Sequence, residues 1–152
     1  MNAGTLNWWH VIALLGAVQG VIVAMALVTK RPRRTQNLLL AGALLCFALH
    51  LASVAYYSAG WVARWPHWFG VTYSAPLLFG PLIYLYAATA SDRQRRLAPT
   101  DLLHGLPFTV AMVAGIPIYR LSAEAKIALH AAIQRGEVPW VALVTDQAKL
   151  VS

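Results

Sequence analysis

The sequence predicts an all-α integral membrane bundle with four spans, a short amphipathic helix and an incomplete fifth span. Three observations predict it. First, hydrophobic residues make up 59% of the 152 positions and charged residues only 11%, against roughly 45–50% and about 25% in soluble domains; mean hydropathy is +0.59. Second, the apolar residues fall in blocks about 20 residues long, the length that crosses bilayer hydrocarbon as a helix. Third, the positive charges cluster in the short loops between those blocks, where topology-setting charges of membrane proteins sit. The formal net charge of +7 therefore reads as topology rather than as a nucleic-acid patch.

The opening "MNAGTLNWWH" has no basic segment, so a cleaved signal peptide is not expected and the first apolar block should stay in the membrane. Residues 1–121 are expected to form the bundle, with spans over about 8–29, 37–60, 71–90 and 102–119. At about 1.5 Å per residue each comes close to the ~30 Å hydrocarbon core. The fourth is the shortest and is interrupted by Pro107 and Pro117. Within "LSAEAKIALHAAIQRG", residues 122–136 read as an amphipathic helix lying on the outer membrane surface or over the span ends. Ser122 caps it, Glu124 suits its first turn and Gly136 stops it. Ala125, Leu129, Ala132 and Ile133 form its apolar face, with Lys126, His130, Gln134 and Arg135 mostly on the others. Residues 137–152 look like the start of a fifth span that breaks off at Thr145 to Lys149.

Orientation follows from the loops. Lys30, Arg31, Arg33 and Arg34 separate spans one and two, and Arg93, Arg95 and Arg96 separate spans three and four, while the loop between has only Arg64. The first and third loops are thus cytoplasmic and the N-terminus is outside. The tryptophans agree: Trp61, Trp65 and Trp68, with Trp8 and Trp9, suit an aromatic belt at the outer interface. A multi-pass membrane protein is expected.

The candidate sites are few. Gly16 and Gly20 form a GxxxG that lets helix backbones approach closely, either within the chain or in a homodimer through span one. Gln19 and His50 fall at similar depth in neighbouring antiparallel spans, and a polar group in hydrocarbon needs a partner. They are expected to hydrogen-bond or to line a small polar pocket. In span three, Tyr73, Gly80, Pro81 and Tyr84 crowd together with Pro76. Proline removes a backbone donor and clashes with the carbonyl four residues earlier, so span three is read as kinked, either lining a ligand cavity or shaping the bundle. Near span four, Asp101 can cap a helix or pair with Arg95 or Arg96. No phosphate loop, catalytic motif, paired intramembrane carboxylates or Cys/His metal spacing appears, so neither enzyme activity, nor a metal, nor a cofactor is expected.

Several stretches together resemble one family: "WWHVIALLGAVQGVIVAMALV", "RPRRTQNLLLAGALLCFALHL", "FGPLIYLYAATASD" and "DLLHGLPF". They are similar to the membrane-embedded N-terminal region of bacterial AraC-type transcriptional regulators. The residues that carry the resemblance are Gln19-Gly20, Asn37, Gly80-Pro81 with Tyr84 and Tyr86, and His104 with Leu106-Pro107-Phe108. The resemblance covers about residues 8–150. It implies a multi-span, often seven-helix, sensor for an unknown small ligand, placed ahead of a cytoplasmic helix-turn-helix domain. This chain contains no such domain and is expected to be a fragment or a degraded frame that does not itself bind DNA. The other function class is a freestanding small membrane protein, transporter-like or an assembly partner.

Overall fold

The computed structural model describes residues 7–92 and 95–137, and every regular element among them is helical. Helix α1 spans Trp8–Thr29. It starts cleanly because the His10 ring turns back and its Nδ1 accepts the Asn7 N–H at 2.8 Å. Helix α2 spans Arg34–Ser58. Between them lies a tight loop pinned by Asn37, whose amide donates to the carbonyls of Pro32 at 2.8 Å and Lys30 at 3.3 Å.

Helix α2 is central, with α1 against one side and α3, Pro76–Ser91, against another. The α1–α2 seam is built from small residues. A Cβ on Gly20 would lie 3.1 Å from Ala48 Cβ, and one on Gly16 would meet Leu51. Ala17, Ala24, Ala41 and Ala48 are buried alongside. Without bulky side chains the two backbones approach closely. The GxxxG face is therefore covered by the chain's own second helix. The α2–α3 contact is antiparallel too: Gln36 Nε2 donates to the Thr89 carbonyl at 2.6 Å, Leu82 lies over Gly42, and the Phe47 and Phe79 rings are 6.0 Å apart.

Helices α1 and α2, of 22 and 25 residues, are long and apolar enough to cross a membrane. Helix α3, at 16 residues, is apolar but shorter than the ~20 residues a span needs. It starts at Pro76 rather than near residue 71, because proline is favoured in a first turn and residues 71–75 form turns ahead of it. The expected fourth span is not one helix. Pro99–Gly105 is 3-10 helix, α4 covers Leu106–Ala114 and α5 only Ile116–Tyr119. Pro107 and Pro117 each sit in the first turn of a short helix, where the missing N–H costs nothing, and Gly115 falls between them. Helix α6, Ala123–Gln134, is capped by Ser122, whose Oγ accepts the Ala125 N–H at 3.2 Å.

One expected placement is overturned. Lys126, assigned to a polar face of α6, is buried at 3% exposure, and its Nζ donates to the Tyr119 carbonyl at 3.1 Å. The cation satisfies a carbonyl at the end of α5, a favourable place for positive charge. Arg93 and the start of the expected fifth span beyond Glu137 lie outside the described residues.

Candidate ligand-binding site

The bundle has two chemically different ends. At one, α2 runs into turns that carry Trp61, Trp65 and Trp68. At the other, the α1–α2 loop and the segment after α3 bring arginines together.

The tryptophan end contains the core. Phe69 and Val62 are fully buried and pack with Tyr56 and Ile118. Gly60 and Gly70, at φ of 70° and 85°, supply left-handed turns that glycine adopts without penalty and fold this segment back over α2. Two tyrosines at the end of α2 hold it there. The Tyr56 hydroxyl donates to the Trp65 carbonyl at 2.8 Å, and the Tyr57 hydroxyl accepts the Gly70 N–H at 3.1 Å.

Tyr57 is the hub of a ring cluster. Its centroid is 5.5 Å from Tyr73, nearly parallel, 6.0 Å from Phe69 edge-on, and 5.8 Å from the His130 imidazole. Phe69 and His130 are also 5.8 Å apart at 70°. Such offset and edge-to-face geometries are the favoured ones for aromatic pairs. Beside the cluster runs a groove of about 490 Å³ lined by His50, Ser53, Tyr57, Tyr73, Pro76, His130 and Gln134, within the size range of small-molecule sites. The His130 and Gln134 side chains meet at 3.1 Å, Nε2 to Nε2. Burial against the rings holds the His130 imidazole below its ordinary value of 6.5. The groove thus offers flat aromatic surface with an imidazole, an amide and hydroxyls at its rim. That combination suits a small amphipathic or planar ligand more than a charged one.

The structure brings some of the sequence candidates together and separates others. His50 and Tyr73 share this groove, and Pro76 contributes the first turn of α3. Gln19 is exposed on α1 and makes no hydrogen bond to His50, so the expected Gln19–His50 pair is not formed. Gly80 is exposed, with nothing within 4 Å of where a Cβ would sit, and Pro81 lies beside it, half-buried; neither lines the groove. Tyr84 belongs to the arginine end, stacked on His104 at 5.0 Å. Tyr57, Phe69, His130 and Gln134 were not among the candidates. The adjacent Tyr56-Tyr57 pair facing a tryptophan-rich loop was the available signal; nothing local in α6 indicates that His130 turns inward.

The arginine end is polar. Arg95 pairs with Asp101 at 3.1 Å, and Asp101 also accepts the Ala98 N–H at 3.0 Å. That backbone bond, with Arg95 beside it, holds the Asp101 carboxyl below its usual range. Among the described residues no group of three or more His, Cys, Asp and Glu is placed to hold a metal ion.

Comparison with protein-family models, curated proteins and solved structures finds no match to this chain.

Proposed function

We propose that this chain is the membrane sensor and anchor portion of a membrane-bound transcriptional regulator of the AraC type, and that it does not itself bind DNA. A multi-pass arrangement in a bacterial inner membrane, crossed by α1 and α2 with the N-terminus outside, goes with that reading. The membrane assignment is supported by α1, which has a mean hydropathy of 2.6 with only 11% of its apolar window buried. An apolar helix that leaves most of its surface uncovered is suited to lipid and not to water.

The observation that carries the sensor reading is the course of α3. Its first turn, at Pro76, forms part of the aromatic groove. Its last turn, at Thr89, is tied to the start of α2 by Gln36 and leads into the segment bearing Arg95 and Arg96. A small ligand held by Tyr57, Tyr73 and His130 would bear directly on the helix that ends among the basic loops. A ligand shifts an equilibrium only by its differential affinity for two packings. Pro81 lies inside α3, where the bond to the Leu77 carbonyl cannot form, and that weak point is the hinge that would allow two.

Two measurements test the reading. The coding region past Ser152 should continue into further spans and a helix-turn-helix domain; a stop codon at that position in intact relatives overturns it. The full reading frame should alter transcript levels in its host, and Tyr73→Ala with His130→Ala should change that response. The second reading, a freestanding carrier or assembly partner, predicts solute flux in reconstituted vesicles and no transcriptional response.

A further inference from the structure

At the arginine end a concavity of about 730 Å³ opens between the start of α2 and the segment after α3. Arg33, Arg34, Arg95 and Arg96 line it, with Gln36 and Thr89 in its wall, and among the described residues none that lines it is acidic. Among the four, Arg95 is engaged by Asp101 at 3.1 Å. Four guanidinium groups around one hollow repel each other, and their planar forks match two-oxygen anions bidentately. The hollow is also held in shape: Asn37 clamps the loop carbonyls of Pro32 and Lys30, and Gln36 ties α2 to α3. It sits where two long apolar helices meet the aqueous face, the depth at which basic pockets between helices meet anionic headgroups.

The geometry points to a phosphate-binding site in this hollow, taking a phosphate diester or monoester group from either an anionic phospholipid or a soluble phosphate ester. The site is independent of the regulator reading. The four arginines bind the phosphate oxygens, and Asp101 competes for one of them.

The test uses the full chain purified in an uncharged detergent, with phosphatidylglycerol doped into the micelles and retained lipid counted by native mass spectrometry. Phosphatidylglycerol is retained over phosphatidylcholine. Arg34→Gln with Arg96→Gln lowers retention by about fivefold per arginine removed, at about 1 kcal/mol each. Arg64→Gln with Arg120→Gln, which removes the same charge elsewhere, leaves retention unchanged. Asp101→Asn, which removes the carboxylate paired with Arg95, raises retention, a gain that loss of folding does not produce. Displacement by soluble glycerophosphate assigns the site to soluble phosphate esters, and resistance to it assigns the site to lipid. Equal retention of the two lipids with no binding of glycerophosphate overturns the proposal. So does an equal loss in the Arg64/Arg120 pair.

Discussion

His130 shows how one residue couples the groove to the stability of the structure around it. Its ring packs on Tyr57 and Phe69, and burial lowers its pKa from 6.5. The unfolded or undocked segment therefore binds more protons than the docked one between the lowered value and 6.5, and stability rises with pH across that window. Docking of α6 is complete above about pH 6.5 and weakens as pH falls below it. The only other basic group packed inward on α6 is Lys126, already bonded to the Tyr119 carbonyl, and a cation there opposes a second one on the same helix. The protection factors of the α6 amides, taken against the intrinsic exchange rate at each pH, should fall on acidification, and His130→Phe should abolish that fall while keeping the helix docked. Protection factors unchanged down to pH 5 would count against the ring cluster as drawn. At this scale the sequence was a partial guide. The Ser122 cap and the Asp101–Arg95 pair were legible because both are local, and local hydrogen bonding follows from residue type and spacing. Lys126 and His130 were misplaced because the amphipathic pattern of α6 says which residues are polar, not what α6 packs against.

Among the elements, α1 and α2 form the tightest pair and glycine sets their distance. A side chain at Gly20 meets Ala48 Cβ and the Leu44 carbonyl, neither of which can swing aside. Gly20→Ile should therefore destabilise the pair by about 1–3 kcal/mol, the usual cost of overpacking a close contact. Gly80→Ala meets nothing and replaces a poor helix former, so it should be neutral or stabilising by up to about 1 kcal/mol. Titration with a denaturing detergent, followed by helical circular dichroism, separates the two: the first midpoint falls and the second holds or rises. If both fall alike, the seam is not where the helices are held. The two long helices were readable from hydropathy and loop charge alone. The segment after Pro99 was not, because hydropathy counts apolar residues without asking whether they can share one helix. Pro107, Gly115 and Pro117 partition that block into pieces of nine and four residues, neither able to cross about 30 Å.

For the whole molecule, the arrangement of charge and aromatic residues along the bundle axis carries the orientation. Tryptophans gather at one end, and Lys30, Arg31, Arg33, Arg34, Arg95 and Arg96 gather at the other. The fold keeps the two groups apart because α1, α2 and α3 run alternately up and down. In the proposed orientation the basic end is retained on the cytoplasmic side and Asn7 lies outside. A single reporter tests this: Asn7→Cys in a Cys46→Ala background should react with a membrane-impermeant maleimide in cells whose inner membrane is intact and accessible from outside. Replacing Lys30, Arg31, Arg33 and Arg34 with glutamine and placing four arginines in the Trp61–Phe69 segment should reverse the bias and protect the same cysteine. Protection of the reporter in the original chain would overturn the orientation. Labelling that persists in the charge-swapped chain would show that something other than loop charge holds the bundle in place. The same swap removes Arg33 and Arg34 from the hollow, so anionic-lipid retention should fall in the swapped chain whichever side the hollow then faces.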